Sequence, residues 1–473
     1  DGKSTTMYDV CAGLYSSRLQ EGYSVMDFTL YADNAEVTAG RTAGSAATGD
    51  IAAGGFAGKA SGDGAAAAIS NVTMQFGEDV SVNALGYSYD SQYAHSSGAG
   101  ADTGNNVYAG GFIGYLQNCT LNENGASDIT VNFGAGSGAG TARYAVRGVQ
   151  NAVSGNADYK TEGYVGGVFG MLANSEAQNL NFTGASGGSL IYFTSSHDPN
   201  TASAGGLIGA TRSGANSSST ASYGSGNINE DYGNYSVTGG TVKNAHVVGR
   251  AYHSEQVDDK YDIYVGGAIG VFGSESGNTS ATVSDIYVYD TVVEAIGEQN
   301  MLTYAGGVFG GIWYSGTLSA RNCVVIGSSV TASSVSYRAF AAGVTGILQG
   351  TTANLTNSYV IDTSVQAQAP NSTAYVAGFS SRCRGGENLN GNYSNAYLNA
   401  GGSTTVVAPV AVLENSTYFG WPSYKYAVNH DKREHYQNNY YVIANVQSMS
   451  KVALYDLQGH PVEGYEGRLG AAY

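Results

Sequence analysis

Charged side chains are scarce in this 473-residue chain, at 12%. Few constellations could therefore do chemistry. Asp290 and Asp362 each stand five residues after an Asn or Asp that opens a short β-prone run, and Gly327 fills the same place in the repeat between them. Stacked in register, the two carboxylates would lie about 9.6 Å apart, near the upper end of the separation used by inverting glycosidases. The same place also holds Gly184 and Gly249. It reads as a turn position that accepts Gly or Asp, and no catalytic residue is assigned. His430 and His435 enclose the one dense charge run, but their spacing matches no common metal-ligand pattern. Asp258, Asp259 and Asp262 offer oxygen ligands without EF-hand or RTX spacing. Both segments read as solvated loops, and no metal or cofactor is expected.

Aromatic residues are the other resource, with Tyr at 37 of 473. Tyr108, Tyr164, Tyr264, Tyr304, Phe340 and Tyr375 each open a copy of one heptad. Stacked one coil apart, they would form a ladder. Flat apolar faces with a polar tip suit glycans, and they equally suit stacking inside a core.

The heptad is exemplified by Tyr304-Ala305-Gly306-Gly307-Val308-Phe309-Gly310. It recurs nine times, with Gly at its fourth position: Gly13, Gly55, Gly111, Gly167, Gly206, Gly267, Gly307, Gly343 and Gly378. Such self-similarity marks a stacked repeat architecture. A β-prone run led by Asn or Asp follows each heptad: Asp27, Asn71, Asn118, Asn179, Asn244, Asp285, Asn322, Asn357 and Asn395 are aligned as one edge. Asn and Asp suit a turn because they bond nearby backbone and tolerate left-handed φ. The fixed Gly suits a tight bend or a close backbone approach. Within the heptad the apolar positions have opposite parity, so a bulge at the glycines or a sheet buried on both faces is required.

The expected fold is all-β: a parallel β-helix or β-solenoid, right-handed, over residues 1–400, with a small C-terminal β cap or assembly segment over 401–473. A net charge of −17 argues against nucleic acid, whose binding needs a Lys/Arg surplus. The longest apolar run, Val406 to Leu413, is too short to span a bilayer. Cys119 and Cys323 share a column four coils apart, roughly 19 Å by strand spacing, beyond disulfide reach. Cys11 and Cys383 belong to the first and last repeats, and four free thiols are expected. Asn-X-Ser/Thr sequons, as at Asn71, Asn118, Asn278 and Asn415, are no more frequent than the composition predicts.

The unit Gly306-Gly307-Val308-Phe309-Gly310 through Arg321-Asn322-Cys323-Val324-Val325-Ile326-Gly327 resembles the GLUG repeat of bacterial surface proteins and adhesins. More weakly, Lys451 to Val462 resembles the core of the C-terminal sorting domain of type IX secretion substrates, the alternative being a plain capping hairpin. The resemblance implies a secreted or cell-surface location and no single reaction. The expected function is a non-catalytic structural protein that associates head to tail. A glycan- or host-binding adhesin is second, and a polysaccharide-degrading β-helix third.

Overall fold

The computed structural model of the protein describes residues 9–20, 23–40, 50–61, 68–87, 106–117, 128–134, 144–151, 161–173, 175–186, 188–195, 199–212, 235–252, 262–274 and 280–414, with strands at 424–425, 436–437, 440–444 and 452–456. Among these residues there is no helix. The first coil is β1 (Val10–Gly13), β2 (Ser16–Gln20), β3 (Ser24–Ala32) and β4 (Glu36–Gly40). The second repeats it as β5 (Ile51–Gly54), β6 (Ala57–Ser61), β7 (Ala68–Phe76) and β8 (Ser81–Tyr87). Each strand pairs in parallel with its counterpart one coil on: β1 with β5, β2 with β6, β3 with β7, β4 with β8. The pattern continues to the last coil, making a parallel β-solenoid as the heptad period requires. Inward columns such as Val37, Val82, Val146, Ile191, Val247, Val293, Val330 and Val365 fill one continuous core.

The first and second strands of a coil join at the Gly-Gly pair, and the sterics there are severe. A Cβ on Gly55, Gly111, Gly167, Gly206, Gly267, Gly307 or Gly343 would lie 2.0–2.3 Å from the carbonyl oxygen of the next coil's corner glycine. None of these glycines has a left-handed φ. The requirement is close approach between coils, not an unusual dihedral. Gly378 continues the column, following Ala377, which pairs with Ala342. Gly13 does not belong to it. It pairs with Gly54, so Leu14 holds the fourth position in coil one. Among the described residues that coil packs on one side only, which leaves room for the Leu14 side chain, 39% exposed.

The Asx edge is two columns, not one. Asp27, Asn71, Asp128, Asn179, Gly239, Asp285, Asn322, Asn357 and Gly391 stack at a kink inside the third strand. Asn244 lies instead at the corner between third and fourth strands, where Asp290 and Gly327 stack above it. Asn395 reaches Asp362 at that same corner. Both columns hold left-handed φ: 50–61° at Asp27, Asn71, Asn179, Asp285, Asn322 and Asn357, and 47–54° at Asn244, Asp290 and Asp362. Asn and Asp meet that demand at either place, so composition does not separate them. Asn118 and Cys119 lie outside the described residues, and Asp128 stands where Asn118 was aligned. Cys11, Cys323 and Cys383 are free thiols.

Parallel pairing runs past residue 400, because the strand Tyr397–Glu414 follows Ser364–Asn390 as far as Glu414. The apolar run from Val406 therefore belongs to a further coil segment. Beyond it, Tyr440–Ala444 pairs in parallel with Tyr393 and Ser394, then antiparallel with Val452–Asp456.

Candidate functional site

The first two strands of each coil fold toward one another at the Gly-Gly corner, so their outer faces meet in a crease that runs along the solenoid. Alternation is lost just beyond the corner: Ala57 and Ala60 both join the main core, as do Ile113 and Leu116, and Phe309 and Ile312. Each such pair brackets a glycine of the heptad's last position. A Cβ on Gly114 would lie 2.6 Å from the Ala53 oxygen, and one on Gly310 2.4 Å from the Val265 nitrogen. Close backbone contact thus forces the bulge, and the heptad strands are buried on both faces.

The crease holds the aromatic ladder. Ala52, Tyr108, Tyr164, Ser203, Tyr264, Tyr304, Phe340 and Tyr375 stack in that order. Ring centroids are 5.3 Å apart for Tyr264–Tyr304, 4.9 Å for Tyr304–Phe340 and 4.6 Å for Phe340–Tyr375. All six aromatic residues are at most 6% exposed. They form two small cores separate from the main one, with their faces closed to a sugar.

Buried charge sits in the same crease. Arg382 is 1% exposed; it donates to the Tyr304 hydroxyl and lies 5.5 Å from the Phe340 ring centroid. Tyr264 donates to Asp262, and burial raises its phenol well above the usual value. At the N-terminal end, Lys59 Nζ stands 2.9 Å from Asp9 Oδ2 and 3.3 Å from Asp50 Oδ2, with Arg18 4.0 Å from Asp9. Sequence reasoning missed this cluster. Its one signal is that Asp9 and Asp50 both immediately precede the strand that leads into the glycine corner, as Asn106 does, while Asp262 opens its own such strand.

The residues singled out for chemistry are not assembled into a reaction site. Asp290, Gly327 and Asp362 are left-handed turn residues of consecutive coils. His430, His435, Asp258 and Asp259 lie outside the described residues, and among those described no group of His, Cys, Asp and Glu could hold a metal. Asn392 of one sequon is fully buried and donates to the Leu355 carbonyl at 2.9 Å.

A second surface stands out on the third strand's outer face. Thr29, Thr73, Thr130, Asn181 and Thr241 give way to Tyr287, Val324, Tyr359 and Tyr393 in the same column. Beside them run Tyr289, Ile326 and Ile361. Tyr359 is 41% exposed. The chain matches no family model, no curated protein and no solved structure.

Proposed function

We propose that the protein is a non-catalytic, secreted or cell-surface structural protein of the GLUG-repeat kind, a building block that associates head to tail. The observation that supports this reading is the first coil. Val72, Met74 and Phe76 in coil two are fully buried, whereas Phe28, Leu30 and Ala32, stacked on them, are only partly covered. Tyr15, Met26 and Tyr31 are 70%, 53% and 75% exposed. Strands β1 to β4 pair on one side only among the described residues, and an open parallel edge over an apolar core end invites another chain. A head-to-tail contact is heterologous and does not close. The test is light scattering of the full chain and of a chain lacking residues 436–473, across salt concentrations. Strict monomers in both would rule the assembly out.

A glycan- or host-binding role is the second reading. The exposed Tyr359 and Tyr393 one coil on favour it, with Tyr287 two coils before across Val324, because this column faces outward as the buried ladder does not. Retention on polysaccharide columns that is lost in Tyr359→Ala, with scattering unchanged, would favour it over assembly.

A further inference from the structure

We propose that Lys59 and Asp50 condense into an intramolecular amide, with Asp9 as the base, cross-linking β6 to the residue that leads into β5, across the crease. The Lys59 side chain is 11% exposed and meets Asp9 and Asp50 at 2.9 and 3.3 Å. Asp50 is 7% exposed at its side chain, and its second oxygen, Oδ1, has no hydrogen-bond partner among the described residues. Asp9 is fixed from its other side, where Oδ1 accepts the Asp50 backbone N–H at 3.2 Å. The Tyr115 ring covers Nζ at 4.9 Å. An amine, an acid and a second carboxylate thus meet where Lys59 and Asp50 are nearly covered and Asp9, 24% exposed, stands at the solvent side.

Those are the parts an amide condensation needs: a nucleophile, an uncharged carboxyl to attack, and a carboxylate to take the amine's proton. The surroundings drive the two carboxyls apart. Burial raises Asp50 above the ordinary carboxylate value, only partly opposed by Lys59, and so favours the neutral acid. Burial acts on Asp9 too, but the charge and hydrogen bond of Lys59 outweigh it and Asp9 is lowered. Two carboxyls displaced in opposite directions mark an acid and a base. Lys59 itself is raised while Asp50 and Asp9 are both ionised, since the two carboxylates then outweigh its burial; the reacting form is the one in which Asp50 holds a proton. The resting species is therefore an ammonium, and the reaction starts with proton transfer along the 2.9 Å bond to Asp9.

The free amine then attacks Cγ of Asp50. The Nζ–Cγ bond forms and the bond from Cγ to the hydroxyl oxygen breaks. Nζ sheds two protons: one leaves with that hydroxyl as water, and the other remains on Asp9, which then releases it to solvent. The step consumes no co-reactant. Amide formation is uphill between free solutes in water, but fixed neighbours react at effective concentrations on the order of 10⁵ M or more. The product braces the corner next to the first described coil, which among the described residues is stacked on one side.

Intact mass of the denatured full chain tests this directly. The expected mass is one water, about 18 Da, below that of the sequence. Trypsin should fail to cut after Lys59 and leave residues 42–143 as one peptide. Lys59→Arg keeps the charge but not the nucleophile, and should restore the full mass with an unchanged strand signal in circular dichroism. Asp50→Ala should do the same. Asp9→Asn should slow the mass loss by at least about 100-fold. A wild-type chain of full mass, cut normally after Lys59, overturns the proposal and leaves an ordinary buried ion pair. Loss of water that persists in Lys59→Arg, as from a succinimide at Asp1-Gly2, also overturns it. A product joining residues 4–18 to 42–143 would assign the link to Asp9 and refute the assignment to Asp50.

Discussion

A Cβ on Gly307 would sit 2.1 Å from the Gly343 carbonyl oxygen and 2.9 Å from a Val325 methyl. Neither the backbone of the next coil nor a fully buried valine can retreat without moving its own neighbours. Gly307→Val is therefore expected to cost about 3 kcal/mol or more, and Gly307→Ala nearly as much. The control is Gly401→Ala, where nothing lies within 4 Å of the new Cβ and a change within about 0.5 kcal/mol is expected. Urea melts of the three variants decide; equal midpoints would mean the corners are not in contact. Thiol chemistry gives a second expectation at this scale. Burial pushes Cys323 up to about 12 and Cys11 to about 11, and a raised thiol stays protonated and unreactive at pH 8. In a Cys119→Ser background, a thiol reagent should label none of Cys11, Cys323 and Cys383 in the native chain and all three in urea. Rapid native labelling would show that the end coil or the crease opens.

The crease ladder and the Asx kinks act as elements rather than as single residues. Tyr304→Phe removes the hydroxyl that Arg382 donates to and weakens the satisfaction of a buried guanidinium, at a cost of roughly 2 kcal/mol. Pairing it with Arg382→Met removes both polar groups and should recover much of that loss. A double variant less stable than the sum of its parts would refute the coupling. At the kink, Asn322 donates to Asp285 at 2.9 Å and has φ of 54°. Asn322→Gly should be tolerated, as Gly239 and Gly391 already stand in that column, whereas Asn322→Val should cost about 1–3 kcal/mol. The bonds from Asn322 and Ser284 hold the Asp285 carboxyl below its ordinary value. Its stabilising share is thus present above the unfolded carboxylate pKa and fades as pH falls through the folded one. These elements also show what the sequence could reveal. The corner glycines were legible because the carbonyl above them tolerates no substitute. The two Asx columns were merged because one dihedral requirement selects the same residues at both. Gly13 was misplaced because a Gly-Leu pair in the first described coil imitates a Gly-Gly one. The cluster of Asp9, Asp50 and Lys59 was hidden because Asp9 joins from the neighbouring coil, 41 residues from Asp50, while Lys59 comes from the next strand, 9 residues on, and such residue types elsewhere are solvated.

A stacked array holds together mainly through contacts between nearest neighbours, so the outermost described coils are where a further chain could add. They differ. At the C-terminal end, the antiparallel pair of Tyr440–Ala444 and Val452–Asp456 interrupts parallel stacking above Tyr393 and Ser394. At the N-terminal end, partly covered Phe28 and Leu30 and exposed Tyr15, Met26 and Tyr31 leave the core's last layer open among the described residues. Apolar attraction across that edge must overcome repulsion between chains of net charge −17. Salt screens the repulsion, with a Debye length near 10 Å at 0.1 M, and leaves the apolar term in place. Association should therefore strengthen as salt rises, the opposite of a contact held by ion pairs. Adding positive charge at the edge separates the two terms. Met26→Lys with Tyr31→Lys lowers the net repulsion yet puts ammonium groups on the strand edge, a device that blocks edge pairing. Both side chains are exposed, so melting should shift by no more than about 0.5 kcal/mol per site. If the edge is the contact, the double variant stays monomeric by light scattering at salt concentrations where the parent assembles. If repulsion alone governs assembly, the less negative variant assembles more readily than the parent, and the end-coil contact is wrong.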